Sequence, residues 1–120
     1  LRQVEAAARI GAHVCELHTG PYAHAFYERG RDPRSPAVVV ELEKLRRAGE
    51  AVVGHGMRFN AGHALTYFNV QPVAALPQVR ELHIGHAIVS RSVFIGMREA
   101  VREMKRLMRE AAAHAHPSHP

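Results

Sequence analysis

Hydrophobic and polar positions alternate along this chain in segments of changing period, and most of the changes fall at a glycine or a proline. Leu1, Val4, Ala7 and Ala8 recur at helical spacing up to Ile10, and Gly11 stands just past the end. Ala12 to Leu17 is a short, partly β-branched run closed by Thr19-Gly20-Pro21, which predicts a strand. Tyr22 to Pro36, with two prolines, Gly30 and mixed charge, predicts a long loop over that strand's carboxyl end. Ser35-Pro36 then supplies an N-cap and a first-turn proline for a helix whose stripe runs Val39, Leu42, Leu45, Ala48 and Val52, ending at Gly54 and Gly56. Met57 to Asn60 predicts a strand, and Asn69 caps a short helix that Pro77 ends after Leu76. Arg80 to Ile84 alternates as a further strand, and Ala87 to Arg91 suits one helical turn. Val93, Met97, Ala100, Val101, Met104, Leu107, Met108 and Ala111 form one stripe, predicting a long amphipathic helix over 92–112. A tail rich in histidine and proline, 113–120, is expected to be disordered.

Strands alternating with helices at these connection lengths predict an α/β fold with a parallel sheet. Each strand also breaks off into a small polar cluster: Glu16-Leu17-His18-Thr19-Gly20, Asn60-Ala61-Gly62-His63 and Ile84-Gly85-His86. Such proteins collect their chemistry at the carboxyl ends of parallel strands, where glycine admits a ligand close to the backbone. Three strands cannot close a barrel. A (β/α)₈ barrel takes about 250 residues, so 120 residues supply less than half of one.

Composition narrows the partners. The net charge of +5 suits small phosphorylated molecules through electrostatic attraction. It does not point to nucleic acid, because Arg98, Arg102, Lys105, Arg106 and Arg109 alternate with Glu99, Glu103 and Glu110 as a solvated helix face. No aromatic and basic interleaving or zinc-finger spacing accompanies them. No apolar run approaches the roughly 18 residues a membrane span requires, no signal peptide is read at the start, and the expected location is the cytoplasm. The lone Cys15 lies in an apolar run and reads as a small core side chain. The chain opens with Leu1 inside a helical pattern, so further residues are expected ahead of it.

His63, after Asn-Ala-Gly at a strand end, is placed for general acid or base work, or else caps and packs a turn. Gly85-His86 precedes a helical turn whose N–H groups offer an anion site. Glu16 in an apolar strand must be paired, hydrogen-bonded or protonated, and an ion pair with an arginine competes with a catalytic role. His13 and His18 flank it. A metal would need three or four converging ligands, and His63, His83 and His86 around a glycine turn have no dependable geometry, so no metal is expected. The tail histidines His114, His116 and His119 read as solvated.

The stretches 60–70 (NAGHALTYFNV), 81–88 (ELHIGHAI) and 103–108 (EMKRLM), with 16–23 (ELHTGPYA) before them, resemble the carboxyl-terminal part of the pyridoxine 5′-phosphate synthase family. The resemblance runs from near Leu1 to about Ala112. It implies the carboxyl-terminal part of a (β/α)₈ TIM barrel, incomplete here, with residues 1–112 as the barrel portion. It also implies an enzyme of vitamin B6 biosynthesis that condenses 3-amino-2-oxopropyl phosphate with 1-deoxy-D-xylulose 5-phosphate. Such enzymes close the pyridine ring, release phosphate and water, use no metal or organic cofactor, and assemble as homo-oligomers, typically octamers. By motif, His63 would be the proton donor, Ala64, Gly85 and His86 would hold the amino-ketone phosphate, and Glu16 would assist proton transfers. The family often has glycine or aspartate where Ala64 stands, so the implied contact there is through the backbone. A catalytic histidine base and a catalytic glutamate belong to the amino-terminal half of the family's barrel. This chain alone is therefore expected to be inactive. The alternative is a non-catalytic half-barrel that binds phosphate or serves in assembly.

Overall fold

A computed structural model describes residues 1–115. In chain order the elements are α1 (Arg2–Arg9), β1 (Val14–His18), α2 (Gly20–Glu28), α3 (Pro36–Gly54), β2 (Arg58–Gly62), α4 (Val70–Ala74), β3 (Val79–His83), α5 (His86–Ile95) and α6 (Met97–Ala115). The strands form one parallel sheet in the order β1-β2-β3. Parallel pairing sends all three strand ends, and the clusters that follow them, to the same rim. This is the arrangement the polar clusters predict.

The two sheet faces differ. Cys15 and Leu17 of β1, Phe59 and Ala61 of β2 and Leu82 of β3 join the core under the helices, and Phe59 and Ala61 are fully buried. Val38, Leu45 and Val52 of α3, Val4 of α1, Tyr22 and Phe26 of α2, and Val73 of α4 complete that core. The opposite face carries Glu16 paired with Asn60 and Glu81 in one row, and His18 with Gly62 and His83 in the next. Parallel sheets normally bury both faces in hydrophobic residues. Here one face is a polar ladder, which suits the inner wall of a barrel near its mouth.

Where α3 crosses β2, Gly49 meets Phe59. A Cβ on Gly49 would clash with Phe59 Cε1, so glycine is what lets the helix settle onto the ring. The stripe read for α3 is out by one residue at its start, since Val38 is buried and Val39 half-exposed.

The expected loop over 22–36 is instead helical for its first part. Pro21 sits in the first turn of α2, the one helical position that needs no N–H, and Tyr22, Ala23 and Phe26 face the core. The single long helix expected over 92–112 is two helices. Gly96, at φ +85°, holds a conformation that stops α5 and lets α6 start in a new direction. The forward part of the predicted stripe is consequently open to solvent: Val93 is 78% exposed, whereas Ala100 and Met104 are buried on the far side of the break. The single turn expected at 87–91 lies in the first half of α5. Helix α6 continues to Ala115 through part of the expected tail, and the rest of that tail, with His116 and His119, lies outside the described residues. Cys15 is half-buried against the core. None of the described helices is long and apolar enough to cross a membrane.

Two glycines of α3 should respond oppositely to alanine. Gly49→Ala forces the Phe59 ring to move, an overpacking penalty of about 1–3 kcal/mol that outweighs the helix-propensity gain. Gly54→Ala meets nothing within 4 Å and should stabilise by up to about 1 kcal/mol. Urea unfolding midpoints of the two variants, shifted down and up respectively, check both signs.

Candidate active site

The rim at the strand ends holds an open cleft of about 710 Å³ lined by Glu16, His63, Ala64, Leu65, Thr66, His83, Ile84, Gly85, His86, Ala87 and Ser90. All five residues singled out in the sequence (Glu16, His63, Ala64, Gly85 and His86) lie on it. They arrive from different places: Glu16 from within β1, His63 and Ala64 from the turn after β2, and Gly85 and His86 from the start of α5.

Glu16 spans the sheet. Its Oε2 is 2.8 Å from His83 Nδ1 on β3, and its Oε1 is 3.5 Å from His63 Nδ1 beyond β2. The carboxylate passes over Gly62, where an added Cβ would clash with Glu16 Oε1 and come within 3.0 Å of the His83 carbonyl oxygen. Glu16 is therefore neither drawn into the apolar face nor paired with an arginine. It is one-third exposed on the polar face, with two histidines as partners. His83 also faces Glu81, with Nε2 3.6 Å from Oε2. Its affinity for a proton rises above the ordinary histidine value, first because Glu16 accepts its hydrogen bond. Desolvation opposes this, and the Glu16 charge and the contacts with Glu81 add to it.

His63 stacks on His18 with ring centroids 4.1 Å apart and planes 3° from parallel. His18 Nδ1 accepts the Gly20 N–H at 2.9 Å, which leaves Nε2 as the ring's free edge. Nε2 of His63 makes no hydrogen bond among the described residues and remains for a ligand.

The backbone at His63 and Ala64 is left-handed, with φ of +91° and +58°. Outside glycine that region costs roughly 1–2 kcal/mol per residue. Opposite this turn, Gly85 caps the ten-residue helix α5, whose first N–H groups have no partner within the helix. A helix start of this kind favours an anion.

Several participants were not read from the sequence. His83 was weighed only as a metal ligand, and among the described residues no group of three or more His, Cys, Asp or Glu side chains is placed to hold a metal. Thr19, which fastens the end of β1 to the turn after β2, gave no motif beyond its adjacency to Gly20. Asn69 precedes α4 where the cap was expected, but its side chain turns back to Ala64 and Thr66 instead of capping.

Comparison with known proteins identifies the family. A family model described as "Pyridoxal phosphate biosynthesis protein PdxJ" matches residues 1–110. The pyridoxine 5′-phosphate synthase of Azoarcus sp. (strain BH72) is 74% identical over 113 residues, covering 94% of this chain and 45% of that protein. That of Aromatoleum aromaticum (strain DSM 19018 / LMG 30748 / EbN1) is 79% identical over 112 residues, 93% of this chain and 45% of the relative. That of Magnetococcus marinus (strain ATCC BAA-1437 / JCM 17883 / MC-1) is 52% identical over 111 residues, 92% and 43% respectively. The chain thus spans less than half the length of these relatives. Its open three-stranded parallel sheet, helix-covered on one face, is the carboxyl-terminal part of a (β/α)₈ barrel. On the match of 1–110, this chain belongs to the PdxJ family of pyridoxal phosphate biosynthesis proteins.

Proposed function

We propose that this chain supplies the proton donor and one phosphate site of a pyridoxine 5′-phosphate synthase, a transferase-type enzyme that joins 3-amino-2-oxopropyl phosphate to 1-deoxy-D-xylulose 5-phosphate. One observation carries the reading: the imidazole of His63 and the amino-terminal end of α5 line the same cleft although 22 residues separate His63 from Gly85 in sequence. Gly85 and His86 bind a substrate phosphate through the helix start, and Ala64 adds a backbone contact. The reacting carbon framework then lies within reach of His63, which delivers a proton to a departing oxygen. Glu16 holds the His63 ring through Nδ1, leaving Nε2 toward the substrate.

The remaining parts of the reading follow from the same family resemblance. The other half of the barrel contributes the base and most contacts to the sugar phosphate, so the chain alone turns over no substrate. Assembly into a homo-oligomer, an octamer in the family, belongs to the same proposal.

In the complete barrel, His63→Ala should lower turnover about 10²-fold or more, the size of a lost general acid. Steady-state formation of the phosphorylated pyridine measures it, and unchanged turnover removes His63 from the mechanism. The Glu16 bridge has its own signature in pH. Because His83 binds its proton more tightly when folded, the pairing stabilises fully below about pH 6.5. That contribution is lost as pH rises through the raised value. Glu16→Gln, and Gly62→Ala by displacing the carboxylate, should each move the His83 titration midpoint down toward the ordinary histidine range, as followed by NMR of its ring protons.

A further inference from the structure

The turn that carries His63 is held in its unfavourable backbone conformation from two sides. On one side Thr19, fully buried at the end of β1, approaches with both of its polar groups. Its N–H donates to the Gly62 carbonyl at 2.8 Å, and its Oγ1 lies 2.7 Å from the same oxygen and within hydrogen-bond distance of the His63 carbonyl. On the other side Asn69, also fully buried, donates from Nδ2 to the Ala64 carbonyl at 3.1 Å and accepts the Thr66 N–H on Oδ1 at 2.7 Å. Tyr22 anchors Asn69 in turn, its hydroxyl donating to the Asn69 carbonyl at 2.7 Å. Burial raises the Tyr22 phenol's hold on its proton, so it stays a donor throughout the working pH range.

Each of these contacts has an ordinary alternative that the chain does not take. Asn69 stands where an N-cap would bond the first N–H groups of α4, yet it makes no such bond. Thr19 likewise makes no side-chain cap to α2. Both side chains instead reach carbonyl groups of three successive residues, Gly62, His63 and Ala64, two of which are left-handed without being glycine. Carbonyl positions set the peptide planes on either side of the His63 Cα, and those planes set where the imidazole points.

We propose that Thr19 and Asn69 are positioning residues: together they hold the left-handed His63–Ala64 turn and thereby direct the His63 imidazole into the cleft. The proposal rests on the proton-donor reading of His63 for its effect on turnover, but its structural content stands apart from that reading. Released from either side, the turn relaxes toward negative φ, the ring leaves its place between His18 and Glu16, and the proton is delivered from a poorer geometry.

Three variants in the complete barrel test it. Thr19→Val removes the hydroxyl and keeps the branched shape, Thr19→Ser keeps the hydroxyl, and Asn69→Asp replaces the Nδ2 donor while retaining Oδ1. Thr19→Val and Asn69→Asp should each lower kcat about tenfold or more, an effect of misplacement, and Thr19→Ser should restore it. Backbone chemical shifts of His63 and Ala64 should lose the positive-φ pattern in the first two variants and keep it in Thr19→Ser. In a His63→Ala background, Thr19→Val should lower kcat no further, because the hydroxyl acts only through the imidazole. A left-handed turn that persists in both Thr19→Val and Asn69→Asp overturns the proposal, as does an undiminished loss of kcat in the His63→Ala background. Unchanged turnover in His63→Ala alone overturns the proton-donor reading instead, and the chemical shifts then decide the clamp by themselves.

Discussion

A carboxylate on the first strand can reach a histidine on the third only if nothing projects from the strand between them. Gly62 provides that gap, and the Glu16–His83 bond that crosses it fixes the rim of the sheet as a unit. Parallel pairing places the residues following all three strands at this rim. With Glu16 crossing above Gly62, His63 has a partner for Nδ1 and an unbonded Nε2 among the described residues, and the cleft between His63 and α5 stays open. A residue with a side chain at position 62 would push Glu16 away from both histidines. The geometry of the site thus depends on a small residue that performs no chemistry.

The sheet divides its labour by face. Phe59 and Ala61 carry the packing against α3, where Gly49 permits close approach, while Asn60 and Gly62 alternate with them onto the polar side. Because side chains alternate strictly along a strand, the same five residues of β2 support a core and present a site. The connections then add precision. Thr19 and Tyr22 come from the start of α2 and Asn69 from the head of α4, and all three are buried around one turn. Their hydrogen bonds offset the strain at His63 and Ala64.

Much of this was readable before any coordinates. The three strands, the parallel order and the placement of Glu16, His63, Gly85 and His86 at strand ends follow from short apolar runs closed by glycine-rich polar clusters. The readings that failed did so for identifiable reasons. Helix α2 was hidden because the prolines, Gly30 and mixed charge of 22–36 read as one loop, whereas the helix ends at Glu28, ahead of Gly30 and Pro33, and Pro21 in its first turn removes only an N–H that the helix does not use. The division between α5 and α6 was hidden because an apolar stripe continues through Gly96, and a stripe has no record of the positive φ that turns the chain there. Asn69 was located correctly at the head of α4, but not its allegiance, since an asparagine can bond forward into a helix or backward into a turn with equal ease.

Sequence alone determined which residues meet the rim, because strand period and the glycines that end each strand are local properties of the chain. It also carried the family resemblance, in motifs whose order and spacing need no coordinates. Only the tertiary structure decided the partners. Glu16 pairs with histidines from β3 and from the turn after β2, not with an arginine, and Thr19 meets a turn 43 residues away. Such contacts are set by strand register and by the room left above Gly62, and neither quantity exists until the strands lie side by side.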